Sequence, residues 1–382
     1  SQEELFKYHL EYAQRYETPV LNQRRPHTNT PNPNKKIKIG YVSADLYNHS
    51  VAYFALPLIS KHDRGQFEVY CYSNSKFNDA TTMLFQKESI WRQIDRLSDA
   101  ELAHQIQKDE IDILVDLSGH TGHNRLRTFA LKPAPVQIGW LGYPFSTGLS
   151  SMDYRLVDKI VEPEGASEHI SSEALLYLPN SFSVYRPSIR HAYRLTNGEL
   201  DILPAPALKN GYVTFGCCNN VAKLTKGTLQ VWAKILQKIE NARLLLEVAD
   251  AVDTENLAKQ PLAIRLIECG IPIDRVIFSE RRKNPQYSLY HKIDIALDPF
   301  PCNGGTTTCD ALWMSIPVVS LQGNRFMSRM GATLLTNIGH PEWLANSEDE
   351  YIDIAVNLAS DVEKLNQIRK DLRGEVEESP IM

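Results

Sequence analysis

Short apolar runs alternate with helix-patterned segments along almost the whole chain, and that alternation constrains the fold more than any other feature. Lys36–Val42, Phe67–Tyr72 and Ile111–Leu117 read as strands, while Val51–Ser60 and Ala100–Gln107 carry helical periodicity. The same order returns later: Tyr212–Gly216, Leu244–Val248, Arg275–Phe278, Ile293–Leu297 and Pro317–Leu321 are strand-like, and Thr228–Ile239, with Trp232, is helical. Strands separated by helices pair in parallel and are covered on both faces. At 382 residues the chain is long enough for two independent cores. The expected fold is α/β, two Rossmann-like domains facing each other across a cleft. Residues 1–34 read as one helix and a polar Pro/Asn-rich linker, 35–190 as the first domain and 205–382 as the second. No repeat of 20–50 residues is visible.

Ligands on such sheets gather beyond the carboxyl ends of the strands, so the loops that follow strands carry the functional reading. Residues 302–314 turn from a strand end through glycines into a helix whose first turn is all hydroxyls. The free N–H groups of that turn and the positive end of the helix dipole attract an anion. Gly304 and Gly305 allow close backbone approach, Thr306, Thr307 and Thr308 add donors, and Asp310 could take a ribose hydroxyl. The plain alternative is an ordinary threonine-capped helix. Lys223 lies in the loop after Gly216 and is a candidate counter-ion for a diphosphate, since a departing nucleotide develops charge that a fixed ammonium stabilises; a surface lysine is the alternative.

His49, after the first strand of the other half, could accept a proton from an incoming hydroxyl or orient a phosphate, against the alternative of local loop bonding. His120 and His123 flank Thr121-Gly122 at a spacing loosely like that of metal ligands, but no Cys or carboxylate motif accompanies them, and plain loop contacts are the stronger reading. No Asp-x-Asp triplet is present to hold a divalent ion, and neither half carries Gly-x-Gly-x-x-Gly, which disfavours a nicotinamide enzyme. A net charge of −5 gives no field that would draw in nucleic acid or an anionic membrane. With no apolar run of membrane-spanning length, no leader pattern and no Cys-x-x-Cys pair among six cysteines, a cytoplasmic chain is the default expectation.

Several long segments resemble the catalytic region of the O-GlcNAc transferase and SPINDLY family, glycosyltransferase family 41. They are Ile39-Gly-Tyr-Val-Ser-Ala-Asp with Asn48-His49-Ser50, Ile111-Asp-Ile-Leu-Val-Asp-Leu-Ser-Gly-His-Thr121, Pro133-Ala-Pro-Val-Gln137, Trp140-Leu-Gly-Tyr-Pro144 and Met152-Asp-Tyr154. They continue with Val213-Thr-Phe-Gly216, Asn219-Asn-Val-Ala-Lys223 and the whole of Asp298 to Met314. The resemblance implies a GT-B fold and an inverting, metal-independent transfer of GlcNAc from UDP-GlcNAc to Ser or Thr of a protein, with no cofactor. It also implies an acceptor side in the N-terminal half, a nucleotide-sugar side in the C-terminal half, and tetratricopeptide repeats upstream, of which residues 1–34 would be a remnant. Carried over by position, Lys223 holds the diphosphate, Thr306 and Thr307 bind phosphate, Asp310 binds ribose and His49 lies near the acceptor; Asn220 stands where some members place a glutamine. His120, Thr121 and Tyr143 are candidates for the acceptor or sugar side.

Gln286 and Gly305 depart from histidines common in relatives, which leaves base and sugar identity open. The Asn219-Asn220 and Thr306-Thr307-Thr308 patterns look more like SPINDLY, so GDP-fucose transfer is the close rival. A sugar-nucleotide epimerase is disfavoured because no paired Asp/Glu motif stands at the expected sheet edges, and a non-catalytic scaffold because Lys223 and His49 are retained. The family usually adds one more helix after Ser379-Pro380.

Overall fold

The computed structural model describes residues 1–187, 198, 200–249, 260–281 and 287–382. The chain divides into two compact units, Ser1–Ser188 and Ile189–Met382. The first opens with α1 (Gln2–Tyr16), whose Ser1 and Glu4 form a reciprocal capping box. Then come β1 (Ile37–Ser43), α2 (Ser50–Lys61), β2 (Phe67–Ser73), α3 (Ala80–Glu88), β3 (Ile90–Gln93), α4 (Asp99–Lys108) and β4 (Ile113–Asp116). The unit closes with α5 (Leu126–Ala130), β5 (Val136–Gly139), β6 (Tyr154–Asp158) and β7 (Ala174–Leu178). Its seven strands pair in the order β3-β2-β1-β4-β5-β6-β7, parallel throughout.

The second unit contains α6 (Pro206–Asn210), β8 (Thr214–Cys217), α7 (Lys226–Lys238), β9 (Arg243–Val248), α8 (Pro261–Glu268), β10 (Val276–Glu280) and β11 (Ile295–Leu297). It ends with α9 (Thr306–Trp313), β12 (Val318–Leu321), α10 (Met330–Asn337), β13 (Leu344–Ala345), α11 (Glu348–Ser360) and α12 (Val362–Glu378). The strand order is β10-β9-β8-β11-β12-β13, again all parallel. Both sheets thus run outward from their first strand and then reverse, which is the doubly wound Rossmann-like arrangement expected from the alternation. The reversal lies between β1 and β4 in one unit and between β8 and β11 in the other. A crevice opens at such a point because the connections leave on opposite faces.

The strands not assigned from sequence, β3, β5 to β7 and β13, are two to five residues long; β3, β5 and β7 are largely half-buried or exposed, and β6 buries Arg155 and Asp158 beside Val157, so none carries a strong apolar run. The expected linker is also more ordered than its composition suggests. Arg24 donates to the Ala130 carbonyl at 3.0 Å and to Glu17 at 2.6 Å, and Asn29 donates to Asp112 at 2.8 Å. Polar side chains tie residues 1–34 to the first unit where an apolar pattern would have failed.

The core of the second unit reaches the site directly. Trp232 on α7 is fully buried and donates from Nε1 to the Tyr351 hydroxyl at 3.2 Å, and that hydroxyl donates to the Asp298 carbonyl at 3.0 Å. The end of β11 is therefore fixed by a hydrogen-bonded chain running out of the packed interior. Among the described residues no helix is long and apolar enough to cross a membrane.

Candidate functional site

In the second unit the loops after β8 and β11 meet at the sheet's reversal. The first runs from Cys218 to Lys223, the second from Asp298 to Gly305. The helix after β11, α9, starts at Thr306 with Gly305 in the cap position and no side-chain cap bond. The threonine-capped alternative is not what forms: the hydroxyls lie inside the first turn, whose amides have no intrahelical acceptor. Gly304 is required here, because a β-carbon would lie 2.5 Å from the hydroxyls of both Thr307 and Thr308. Thr306 and Thr307 are half-buried and Thr308 is buried.

Lys223 comes to this turn. Its half-buried ammonium donates to the Asn303 carbonyl at 2.7 Å and to Asn219 Oδ1 at 3.2 Å, and Thr307 donates to the same Asn219 oxygen at 2.9 Å. One amide oxygen therefore joins the lysine to the threonine turn. Asn219 was not singled out from sequence; Asn220, which was, is exposed and accepts from the Ala222 amide at 3.0 Å as the cap of a short 3₁₀ turn. No local signal set Asn219 apart from Asn220; its burial, which obliges the side chain to find partners, appears only in the folded chain. Asp310 is buried and accepts from the Tyr287 hydroxyl at 2.8 Å. Gln286 lies outside the described residues.

In the first unit the loops after β1 and β4 occupy the corresponding reversal. His49 caps α2: its Nδ1 accepts from the Val51 amide at 3.3 Å and lies 3.9 Å from Asp45 Oδ2. An Nδ1 that accepts leaves the proton of the neutral ring on Nε2, so the free nitrogen is a donor. His120 Nε2 bonds the Thr147 carbonyl at 2.8 Å, and burial lowers its pKa. Thr121 donates to the Ser118 carbonyl at 2.7 Å. The loop is anchored by buried Asp116, which accepts the Ser118 and Gly119 amides at 3.1 and 2.7 Å and whose carboxyl is pushed up to about 6 by burial. Gly119, at φ 52°, leaves no room for a β-carbon against Tyr143.

The N-terminal helix belongs to this loop cluster, which sequence reasoning did not anticipate. His9 on α1 stacks on His120 with ring centroids 4.3 Å apart, and its Nε2 bonds the Tyr143 hydroxyl at 3.0 Å. Glu17, at the end of α1, accepts the amides of Ser150 and Ser151, each at 2.8 Å. His120 and Tyr143 are thus held by α1 as well as by their own loops. Burial, with His120 beside it, depresses the His9 imidazole to about 4. Among the described residues no group of three or more His, Cys, Asp or Glu side chains is placed to hold a metal ion.

Comparison with known proteins gives consistent matches. The model of Glycosyl transferase family 41 matches residues 19–193 and 204–382. A probable UDP-N-acetylglucosamine–peptide N-acetylglucosaminyltransferase SPINDLY of Arabidopsis thaliana is 37% identical over 393 residues, covering 99% of this chain and 41% of the relative. The protein of the same name from Oryza sativa subsp. japonica is 36% identical over 394 residues, covering 99% and 40%. The chain therefore spans about 40% of the length of these curated relatives. Among solved structures, a mutant of the Thermobaculum terrenum O-GlcNAc transferase matches with a TM-score of 0.86 at 35% identity, covering 99% of this chain and 70% of that one.

Proposed function

The chain belongs to glycosyl transferase family 41, and from that premise we propose that it carries the catalytic part of a protein O-glycosyltransferase, moving GlcNAc from UDP-GlcNAc to a Ser or Thr hydroxyl with inversion and without a metal. The observation that carries this reading is the junction of Lys223, Asn219 and Thr307 at the uncapped start of α9. A diphosphate seated there meets the first-turn amides, the Thr306 and Thr307 hydroxyls and the ammonium, so charge that develops on the leaving nucleotide is met by groups already in place. Asp310 supplies the carboxylate for the ribose, with Tyr287 holding its orientation.

His49, in the first unit, is the group that the family reading assigns to the acceptor hydroxyl. Its Nδ1 is engaged by the start of α2, which supports a role in orienting the sugar or phosphate through Nε2–H over a role as general base. His120, Thr121 and Tyr143 complete the acceptor side in this reading. Protein acceptors and a cytoplasmic setting follow from the same family-level reading, as do upstream tetratricopeptide repeats in the whole protein.

A second donor, GDP-fucose, is favoured by the Asn219-Asn220 and Thr306-Thr307-Thr308 patterns, which resemble SPINDLY, while Asp310 in place of Glu pulls mildly back. Thermal-shift binding against UDP- and GDP-sugars, with and without EDTA, separates the two. UDP-GlcNAc at 100 times its Kd stabilises by ~2.7 kcal/mol, and EDTA is expected to change neither binding nor transfer. Stabilisation by GDP-fucose alone overturns the donor assignment, and a strict divalent-ion requirement overturns the metal-free mechanism.

A further inference from the structure

Asp298 ends the β11 segment directly beneath the anion cradle, and its carboxylate is buried. Oδ1 accepts the Gly304 amide at 2.6 Å, Oδ2 accepts the Ser320 hydroxyl at 2.7 Å, and the Thr308 hydroxyl is a further donor. It lines a small cavity together with Asn219, Thr307 and Thr308. Among the described residues, the charged and titratable groups that face it from the surrounding elements are Lys223 from the loop after β8, Cys217 on β8 and Tyr351 on α11. Of these only Lys223 is cationic, and it is the group assigned to the diphosphate.

A buried carboxylate under a site for two negative charges is an electrostatic conflict. Like charges in a poorly screened environment disfavour ionisation, and the group best able to give way is the one already least stable as an anion. Burial, opposed by the hydrogen bonds from Ser320, Gly304 and Thr308 and by the Lys223 charge, leaves Asp298 raised to about 6, against ~3.9 for a free aspartate. Lys223, which opposes that effect in the free protein, is shared with the phosphates once the donor is bound.

We infer that Asp298 is a positioning residue that is ionised in the free protein and takes up one proton when the donor's diphosphate binds, so that the carboxyl group beneath the cradle is neutral in the complex. The proton comes from solvent and goes to Oδ2. That oxygen then donates to Ser320, whose hydroxyl rotates to accept, while Oδ1 keeps the Gly304 amide and the turn is preserved. The inference rests on the nucleotide-sugar reading above.

The test is titration calorimetry of UDP-GlcNAc, and separately of GDP-fucose, with the full chain in buffers of different ionisation enthalpy between pH 6 and 8. Both diphosphates are esterified at each end and do not themselves titrate in this range. The expected result is net uptake approaching about one proton per donor near neutral pH, with binding roughly tenfold tighter at pH 6 than at pH 8. Asp298→Asn, which has the shape of the neutral acid, is expected to bind without uptake, independently of pH, and at least as tightly as the parent at pH 8. Ser320→Ala removes a donor to the ionised form and is expected to move the uptake window to higher pH. Donor binding by the parent without proton uptake overturns the inference whether or not the asparagine variant folds. So does unchanged uptake in that variant, or weaker binding by it at every pH. If neither donor binds at any pH, the nucleotide-sugar reading itself falls and takes the inference with it.

Discussion

Asn219→Ala is the most informative single perturbation of the phosphate cradle. Asn219 Oδ1 accepts from Lys223 at 3.2 Å and from Thr307 at 2.9 Å, and the residue is buried. Deleting the amide leaves a hydroxyl and an ammonium without this partner. The neutral bond contributes about 1 kcal/mol and the charged one, long and half-exposed, adds no more, so the fold is expected to lose ~1–2 kcal/mol. Lys223 keeps its bond to the Asn303 carbonyl but loses the group that points it toward the α9 turn. Donor affinity is expected to fall about tenfold, and kcat/KM by more, since small misplacement of a positioned group can cost about 10²-fold. Calorimetry with the nucleotide sugar and a peptide-transfer assay measure the two effects. Asn220→Ala is the control: it removes an exposed cap and is expected to leave both quantities within severalfold. Equal losses in the two variants, or unchanged transfer in Asn219→Ala, would refute the assignment of Asn219 as the link between lysine and helix.

Thr306→Val with Thr307→Val preserves branching and volume while deleting two hydroxyl donors, so donor affinity should fall by ~1–3 kcal/mol by calorimetry; unchanged affinity would place the diphosphate elsewhere. His49→Ala should retain donor binding yet lose about 10²-fold in transfer, whereas His49→Asn, which preserves the cap and offers an amide donor, should retain more; a general-base role predicts that both fail alike. Buried His9, depressed to about 4, makes the first unit sensitive to acid. Its folded pKa lies below the unfolded value, so its contribution is present above ~6.5 and is lost as pH falls toward 4, about 2 kcal/mol between pH 7 and 5. Asp116, raised to about 6, works the other way over an overlapping range, so the test is the difference between parent and His9→Phe in denaturant unfolding at the two pH values; a difference that does not change with pH would contradict a neutral, buried imidazole.

The parallel α/β architecture was legible because Ile39 to Val42, Ile113 to Val115 and Ile295 to Leu297 carry no polar side chain on consecutive positions, as expected of strands covered on both faces. The loops at both sheet reversals were legible for the same reason: once β1, β4, β8 and β11 are placed, His49, Thr121, Lys223 and Gly304 fall at their carboxyl ends. Short outer strands such as Ile90–Gln93 and Ala174–Leu178 were not, since they bury too little to carry a periodic signal. Partners that depend on tertiary contact were also hidden. Nothing local distinguishes Asn219 from Asn220, and only the folded chain brings the former to Thr307, 88 positions away. His9 reaches Tyr143 across 134 positions, so a helix that reads as an appendage is part of the wall behind His120.

The most direct measurement is transfer by Lys223→Met beside its donor binding. Lys223 is half-buried in a loop and bonds one carbonyl and one amide oxygen, so the variant should fold with an unfolding midpoint close to the parent's. The expected result is donor affinity reduced about tenfold or less and kcat reduced by about 10²–10³, as for loss of a group that acts mainly on charge developing in the transition state. Near-parental kcat in a folded, donor-binding Lys223→Met protein would contradict the central claim that this ammonium carries the leaving diphosphate.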